Sequence, residues 1–202
     1  MKYQNDIDKM NTNRNLFLMS LPIFVELLLQ LLVGNVDQMM VSRVSQPSVA
    51  AIVNANQIMN LVIIVLSMAS TAVTVILSQY LGAQDEKNAS RTCMVSIVLI
   101  GSVSLAATIL VFAGHTPLYR AIHVPEEVFD EASLYLLIVG AFILVQGFYL
   151  TFSAMIRAFA MVKEVMIISV IMNAMNIVGN AILINGWFGM PQLGAVGAAI
   201  ST

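Results

Sequence analysis

The stretch NLFLMSLPIFVELLLQLLVGNVDQMMVSRV, residues 15–44, decides the fold class, because its apolar run is too long for an ordinary globular helix. Glu26, Gln30 and Asp37, all unfavourable in lipid, lie within it. At about 100° per residue, Gln30 lies about 40° and Asp37 about 20° from Glu26, so the three share one helix face, with Gly34 beside it. A charged side chain at bilayer depth usually faces a bundle interior or a watery cavity. The polar face therefore predicts a transmembrane helix that lines a cavity.

Two of these polar positions have a simpler explanation that the sequence leaves open. Asp37 could lie at the headgroup boundary, because Ser42 and Arg43 follow it closely. Glu26 lies inside the apolar run, where its carboxylate could simply pair with a neighbouring group instead of lining a cavity. The two explanations differ in what each carboxylate should contact.

Composition assigns the chain to the integral membrane proteins. Of its 202 residues, 59% are hydrophobic and 10% are charged, whereas soluble domains carry about 25% charged residues. The net charge of −2 and the lack of a basic run indicate no nucleic-acid partner. One cysteine, Cys93, excludes an intramolecular disulfide framework. The N-terminus is polar and has no cleavage-type signal, so we expect the first span itself to direct insertion.

Apolar segments of membrane-spanning length recur along the chain. They predict an all-α membrane protein with five complete transmembrane helices and the start of a sixth in the final residues, GAVGAAIST. The predicted domains are a cytoplasmic tail, residues 1–14, and a transmembrane lobe, residues 15–202. The predicted complete spans cover about residues 16–40, 52–78, 92–113, 132–156 and 164–184.

Lysine and arginine are distributed unequally between the two sides of the predicted bundle. One side, with the N-terminal tail and the second and fourth connections, carries seven of them; the other side carries only Arg43 and Arg120. The positive-inside rule therefore predicts a multi-pass protein of the cytoplasmic membrane with a cytoplasmic N-terminus. In this orientation, Asp37 lies toward the outer half of the first span.

A second polar group lies in the fifth predicted span, where Asn173, Asn176 and Asn180 fall within about 60° of one another on the helical wheel. An unsatisfied amide in hydrocarbon costs several kcal/mol, so these side chains need partners. They could form interhelical hydrogen bonds for packing. Alternatively, they could help to bind a proton or a hard cation such as Na⁺, which prefers oxygen ligands. The spacing alone does not separate these two explanations.

Enzymatic chemistry has no support in the sequence. His115 and His123 lie eight residues apart in one connection and match no zinc signature. The predicted spans contain no nucleophile–base pair and no metal-ligand cluster. We therefore expect a protein that is not an enzyme and that has neither a cofactor nor a structural metal.

Several segments, in their order and spacing, resemble the multidrug and toxic compound extrusion (MATE) transporters over nearly the whole chain from about Asn15. That family is built from two six-helix lobes, so the resemblance implies that this chain is the first lobe, truncated within its sixth helix. The matching elements are Pro22, Gln30 with Gly34-Asn35-Val36-Asp37, Arg43, LSQYLGAQDEKNA (77–89), SAMIRAF (153–159), NIVGNAILI (176–184) and GAVGAAIST (194–202).

The resemblance also implies roles for individual residues. Asp37 matches the first-helix aspartate that couples transport to a proton or sodium gradient, and Gln30 matches a polar neighbour in the same cavity. Asn176 and Thr202 match an asparagine of helix five and a threonine of helix six in the cation site. The sequence departs from the family where a second acidic residue is usual, since it has Asn180. The lost charge weakens the case for tight Na⁺ binding.

A second departure lies in the connection after the fourth span. Ala160 stands where a glycine usually follows the arginine-containing motif, which contributes Arg157 here. We expect this change to alter a turn rather than the transport mechanism.

The resulting prediction is a cation-coupled antiporter, driven by H⁺ or Na⁺, that exports amphipathic organic compounds. Its expected partners are the lipid bilayer, small organic substrates, and either a missing C-terminal lobe or a second copy. One alternative is a lipid-linked oligosaccharide or polysaccharide flippase of the same superfamily, which should have a more basic cavity; another is a non-transporting membrane fragment or assembly partner. The predicted cation or proton site comprises Asp37, Asn176, Asn180 and Thr202, and the predicted cavity lining comprises Glu26, Gln30, Gly34 and Asn173.

Overall fold

The computed structural model describes residues 13–42, 46–121, 126–184 and 193–201. Within these ranges the chain is helical, with short turns and no strand. The predicted all-α class is confirmed. The helices of the described ranges are α1 (Asn13–Ser42), α2 (Gln46–Gly82), α3 (Glu86–Ala121), α4 (Glu126–Ala141), α5 (Ile143–Ala158), α6 (Val162–Leu183) and α7 (Gly194–Ser201).

Three described segments are long and apolar enough to cross a membrane: Ile52–Gly82, Glu86–Pro117 and Val162–Leu183. The consecutive helices α4 and α5 provide a fourth span if they cross as one bent unit. In α1 the described apolar segment, Ser20–Val36, is shorter. The multi-pass helical architecture is therefore confirmed, with three or four described spans against the five that the sequence predicts.

The helices extend beyond the apolar segments that predict them. Helix α2 begins at Gln46, before the predicted start near residue 52, and Pro47 lies in its first turn. Proline is tolerated there because the first N–H groups of a helix have no intrahelical partner. Helix α3 continues through Pro117 to Ala121. Hydropathy locates the lipid-embedded part of a helix, whereas backbone hydrogen bonding continues into the polar flanks.

The fourth predicted span, which the sequence indicates as one helix, consists of two helices that meet at Phe142 with a bend of 45°. The Phe142 N–H donates to the carbonyl of Val139, three residues back, at 3.1 Å. This bond to the third residue back interrupts the α-helical pattern, in which each N–H donates to the fourth residue back. The pattern resumes where the Gln146 N–H donates to the Phe142 carbonyl at 2.9 Å. Helices α4 and α5 contain no proline, so the sequence carries no direct signal for this bend.

Helix α2 lies at the centre of the bundle and packs against α3, α4 and α5. Leu66 and Leu77 of α2 are almost completely buried, together with Leu136 of α4. A polar contact joins the same helices, because the Tyr135 hydroxyl donates to Asn56 Oδ1 at 3.3 Å. Many large apolar side chains on the outer faces are exposed, as expected for surfaces that contact lipid.

The turn between α2 and α3 is closed by an aspartate cap. The Asn88 N–H donates to Asp85 Oδ1 at 3.1 Å, and the Asn88 side-chain amide donates to Asp85 Oδ2 at 2.6 Å. These two hydrogen bonds, the backbone one first, lower the pKa of the Asp85 carboxyl below its ordinary value. The α2–α3 hairpin thus has a defined polar end outside the apolar segments.

Helices α3 and α5 approach each other too closely for a side chain at Gly147. A Cβ atom at Gly147 would lie 2.8 Å from Ser104 Cβ and would overlap Ser104 Oγ. Ser104 is completely buried, and its hydroxyl donates to the carbonyl of Ile100 at 2.7 Å. Close approach at small residues is a common way for membrane helices to pack. Gly147 and Ser104 therefore set the distance between α3 and α5.

Many serine and threonine hydroxyls within the spans find acceptors close to their own position, whereas the buried hydroxyls of Ser70 and Ser133 have no hydrogen-bond partner in the described part of the chain. Many of the paired hydroxyls donate to a carbonyl one turn back, as Thr151 does to Gly147 at 2.8 Å. This bond occupies the hydroxyl without requiring a partner on another helix. A few hydroxyls also cross an interface, such as that of Thr74 on α2, which donates to the Ala154 carbonyl of α5 at 3.2 Å. Many small polar side chains thus satisfy their hydrogen bonds locally and leave room for close packing.

The connection between α5 and α6 contains a residue in the left-handed conformation. Ala160 has φ of +62°. Its N–H donates to the Arg157 carbonyl at 2.9 Å, and the Met161 N–H donates to the Ile156 carbonyl at 3.2 Å, which closes the end of α5. A side chain makes this conformation costly, whereas glycine adopts it readily. The structure thus gives a physical reason why alanine here affects the turn.

We expect Gly147→Ala to lower the stability of the full-length protein in detergent by about 1–3 kcal/mol, because the added methyl overpacks the α3–α5 contact. Thermal unfolding would measure the change. Gly101→Ala is the matched control, because its added Cβ would lie 3.6 Å from Phe148, an ordinary contact. Equal melting temperatures for the two variants would contradict the close contact.

We expect Ala160→Gly to raise the free energy of unfolding by about 1 kcal/mol, because glycine removes the penalty of a side chain at positive φ. Ala158→Gly, in the last turn of α5, is the matched control and should lower stability by up to about 1 kcal/mol. Chemical or thermal unfolding would measure both. A stability loss in Ala160→Gly comparable to that in the control would show that residue 160 does not adopt the left-handed conformation.

Candidate functional site

Helices α1, α6 and α7 pack against one another; α1 contains Asp37, and α6 contains Asn176 and Asn180 of the predicted cation site. If each span reverses the chain direction, α1 and α6 run in parallel. Asp37 lies five residues before the end of α1, and Asn180 lies three residues before the end of α6. The two positions therefore belong to the same end of the bundle. The Asp37 side chain and Thr202 lie outside the part of the chain that the structure describes.

A chain of hydrogen bonds joins α6 to α7. The Asn180 amide donates to Asn176 Oδ1 at 3.1 Å, and the Asn176 amide donates to the Ser201 carbonyl at 3.3 Å. The Ser201 hydroxyl donates to Asn180 Oδ1. Asn180 is completely buried, and Asn176 is half-buried. Asn176 and Asn180 of the predicted asparagine face thus belong to an interhelical network, and the packing explanation accounts for these contacts.

The same network supplies the kind of oxygen atoms that a hard cation prefers. Asn176 Oδ1, Asn180 Oδ1 and the Ser201 carbonyl are its acceptors. A cation that used them would have to replace the present amide and hydroxyl donors. Among the described residues, no group of three or more His, Cys, Asp or Glu side chains could hold a metal. The oxygen atoms that the described network supplies are therefore all neutral.

Asn173 lies one turn before Asn176 on α6 and is half-buried. Its side-chain nitrogen is buried and has no hydrogen-bond partner within the described ranges. An unsatisfied amide donor is costly in an apolar environment. The polar face of α6 therefore has one further hydrogen-bond donor, the side-chain amide of Asn173, next to the network.

The Glu26 carboxylate is buried in an ion pair. Arg157 Nη2, at the end of α5, donates to Glu26 Oε1 at 2.7 Å, and Glu26 is only 3% exposed. This contact explains how a carboxylate can occur within an apolar run, and it is the pairing that the sequence left open. The sequence marks Arg157 only as part of a motif, and nothing in that motif indicates that Glu26 is its partner.

The pair is incompletely satisfied. Glu26 Oε2 and Arg157 Nε are buried without hydrogen-bond partners in the described part of the chain. The guanidinium side chain is 30% exposed, so one side of the pair reaches the edge of the lobe. A buried ion pair of this kind is stable only while the two charges are close together. Removal of one partner leaves the other charge buried and uncompensated.

The other predicted cavity residues of α1 lie on its surface. Gln30 is exposed. Gly34 is also exposed, and no neighbouring atom lies within 4 Å of the position that a Cβ would occupy there. Glu26 and Gln30 share a helix face in the sequence, yet one is buried against Arg157 and the other is open. The assignment of Glu26, Gln30, Gly34 and Asn173 to a substrate cavity stays a prediction.

We expect Arg157→Gln to destabilise the full-length protein by about 3 kcal/mol, because it leaves the Glu26 carboxylate buried without a cation beside it. The double variant Glu26→Gln with Arg157→Gln should recover most of this loss, since two neutral amides can hydrogen-bond without a buried charge. Lys163→Gln, which removes an exposed charge nearby in sequence, is the control. Thermal unfolding would measure all three. A double variant as unstable as the single one would contradict the ion-pair explanation.

Comparison with known proteins adds independent support for the resemblance seen in the sequence. The MatE family model matches residues 22–182. The chain is 38% identical over 188 residues to the uncharacterized transporter YisQ of Bacillus subtilis (strain 168), covering 93% of this chain and 41% of that relative. It is 29% identical over 189 residues to the probable multidrug resistance protein NorM of Chromobacterium violaceum. This match covers 91% of this chain and 40% of that relative.

The fold is similar to that of a solved transporter. An outward-facing multidrug resistance MATE family transporter of the MOP superfamily matches with a TM-score of 0.82 at 22% identity, covering 91% of this chain and 40% of that chain. At this identity the likeness establishes the fold alone. The chain spans about two fifths of the length of the proteins it matches. Because the family model extends from α1 to the end of α6, this chain belongs to the MatE family and corresponds to one lobe of such a transporter.

Proposed function

We propose that this chain is the N-terminal lobe of a cation-coupled antiporter that exports amphipathic organic compounds across the cytoplasmic membrane. The observation that carries the proposal is the packing of α1, α6 and α7, which places the Asn176–Asn180–Ser201 network against the helix that contains Asp37. Family membership supports transport, and the name of the NorM relative supports drug-like substrates.

In this proposal Asp37 is the exchanging group. Its carboxylate takes up H⁺ or Na⁺ while the cavity is open to the outside, and this neutralises a charge that attracts a cationic substrate. The substrate then leaves outward. After the lobes rock about the central site, the cation is released to the cytoplasm and the carboxylate can attract the next substrate. The cation and the substrate thus compete for one acid.

The proton is the favoured coupling ion. Asn180 supplies a neutral amide where related transporters are expected to have an acid, so Asp37 would provide the charge of the site without a second carboxylate. A proton needs one carboxylate, whereas Na⁺ needs several oxygen ligands and gains from each additional negative charge. The amide oxygens of Asn176 and Asn180 already accept hydrogen bonds, which further favours the proton.

Alternating access requires two bodies that move against each other. We propose that a second lobe completes the transporter, either within the same polypeptide or as a second copy of this lobe. The excess of Lys and Arg in the tail and in the second and fourth connections supports a cytoplasmic N-terminus. The outer ends of α1 and α6, with Asp37 and Asn180, would then lie toward the outside.

We expect Asp37→Asn in the full-length protein to reduce gradient-driven efflux from vesicles to the level of protein-free vesicles, because the amide cannot exchange a cation. Efflux of a fluorescent organic cation would be measured under separate proton and sodium gradients. Asp130→Asn is the matched control, because Asp130 is an exposed carboxylate on α4, and it should leave transport unchanged.

Asn180→Asp tests the choice of ion in the same assay. A second carboxylate beside Asn176 should make efflux more responsive to a sodium gradient and less dependent on a proton gradient. Undiminished antiport in Asp37→Asn would remove Asp37 from the mechanism. Efflux that depends on sodium in the unaltered protein would contradict proton coupling while leaving antiport intact.

A further inference from the structure

A cavity of about 430 Å³ lies between α2 and α3, on helices other than those of the candidate cation site. Its volume falls within the range of about 300–1,000 Å³ that is typical of small-molecule sites. One face of each helix forms its walls. The residues that line it are Ala69, Ala72, Val73, Ile76 and Tyr80 of α2, and Asn88, Arg91, Thr92, Val95, Ser96 and Leu99 of α3.

The cavity is polar at one end and apolar at the other. Helices α2 and α3 are joined by the turn at 83–85, so Tyr80 and Asn88 lie near the turn, and Ala69 and Leu99 lie farther along the hairpin. Arg91 is six residues beyond Asp85, which corresponds to about 9 Å along the helix. The cavity therefore runs from the level expected for headgroups into the level expected for acyl chains.

The polar end of the cavity has two hydrogen-bond donors without a protein partner in the described part of the chain. Arg91 is exposed and forms no ion pair in the described part of the chain, and the Tyr80 hydroxyl makes no hydrogen bond there. The other polar groups are occupied: the Asn88 amide donates to Asp85, and the Thr92 hydroxyl donates to the Asn88 carbonyl at 2.8 Å. Arg91 is also the only charged residue among those that line the cavity.

We propose that this cavity, the α2–α3 lipid site, binds one anionic phospholipid. The phosphate would contact the Arg91 guanidinium and the Tyr80 hydroxyl, and an acyl chain would lie along Ala69, Ala72 and Leu99. Guanidinium groups bind phosphate through paired hydrogen bonds, and basic pockets between transmembrane helices bind anionic headgroups. The alanines leave space that larger side chains would fill.

The occupant follows from the charge and from the surroundings. A water-soluble anion would use the arginine but not the apolar end, and a neutral hydrocarbon would use the apolar end but not the arginine. A phospholipid with a net negative headgroup uses both and is already present in the bilayer. The proposal requires only that the 83–85 turn lies at a membrane surface, and it does not depend on which ion drives transport.

The test is native mass spectrometry of the full-length protein titrated with phosphatidylglycerol or with phosphatidylcholine of the same acyl chains. We expect phosphatidylglycerol to bind preferentially and Arg91→Gln to weaken its binding about fivefold, the effect of one basic residue near an anionic headgroup. Lys87→Gln is the matched control, because Lys87 is an exposed cation one turn away that does not line the cavity.

A second variant tests the apolar end without changing any charge. Ala72→Phe should also weaken phosphatidylglycerol binding, and its unfolding temperature without added lipid would show whether the protein still folds. Equal binding of the two lipids, an Arg91→Gln variant that binds like Lys87→Gln, or inorganic phosphate that competes with the lipid at equal concentration would each overturn the proposal. Asp37→Asn should retain lipid binding, so failure of the antiport proposal would be seen separately.

Discussion

The structure depends on the high cost of burying a charge away from water, which a partner of opposite charge within the protein lowers. The Glu26–Arg157 pair is the strongest case, because an acid near the middle of α1 can be buried only if a cation reaches it. The pair joins two distant parts of the chain, since Arg157 ends α5 beside the turn that leads to α6. It therefore fixes α1 against the second half of the lobe.

The sequence predicted the class of fold and the approximate order of spans because apolar length and charge reflect the membrane directly. It could not predict the bend at Phe142, which arises from a change of hydrogen-bond partner and not from a proline. It identified Ala160 as the departure at a turn, and the positive φ there supplies the reason. Contacts between distant residues, such as Glu26 with Arg157, depend on how helices pack, and helical periodicity carries no information on that.

The candidate site could be predicted from the sequence to about the same extent as the fold. Periodicity placed Asn173, Asn176 and Asn180 on one face, and the structure joins the last two in one network. The role of Ser201 was not predictable, because nothing in the sequence of α7 indicates which of its residues meets α6. Spacing locates a polar face on a helix, but only the packing of a second helix determines which groups complete it.

The two acids of α1 lie at different levels of the bundle, and this difference supports the proposal that Asp37 is the exchanging group. Glu26 already has a guanidinium nitrogen 2.7 Å away, so its carboxylate is held in an ion pair. Asp37 lies eleven residues farther along α1, at the end of the bundle where α6 and α7 carry neutral amides and a hydroxyl. Neutral polar groups leave a carboxylate available to a mobile cation, whereas an ion pair keeps it next to a fixed one. Of the two acids, Asp37 is therefore the one that we propose for exchange, whereas the ion pair of Glu26 joins two helices of the lobe.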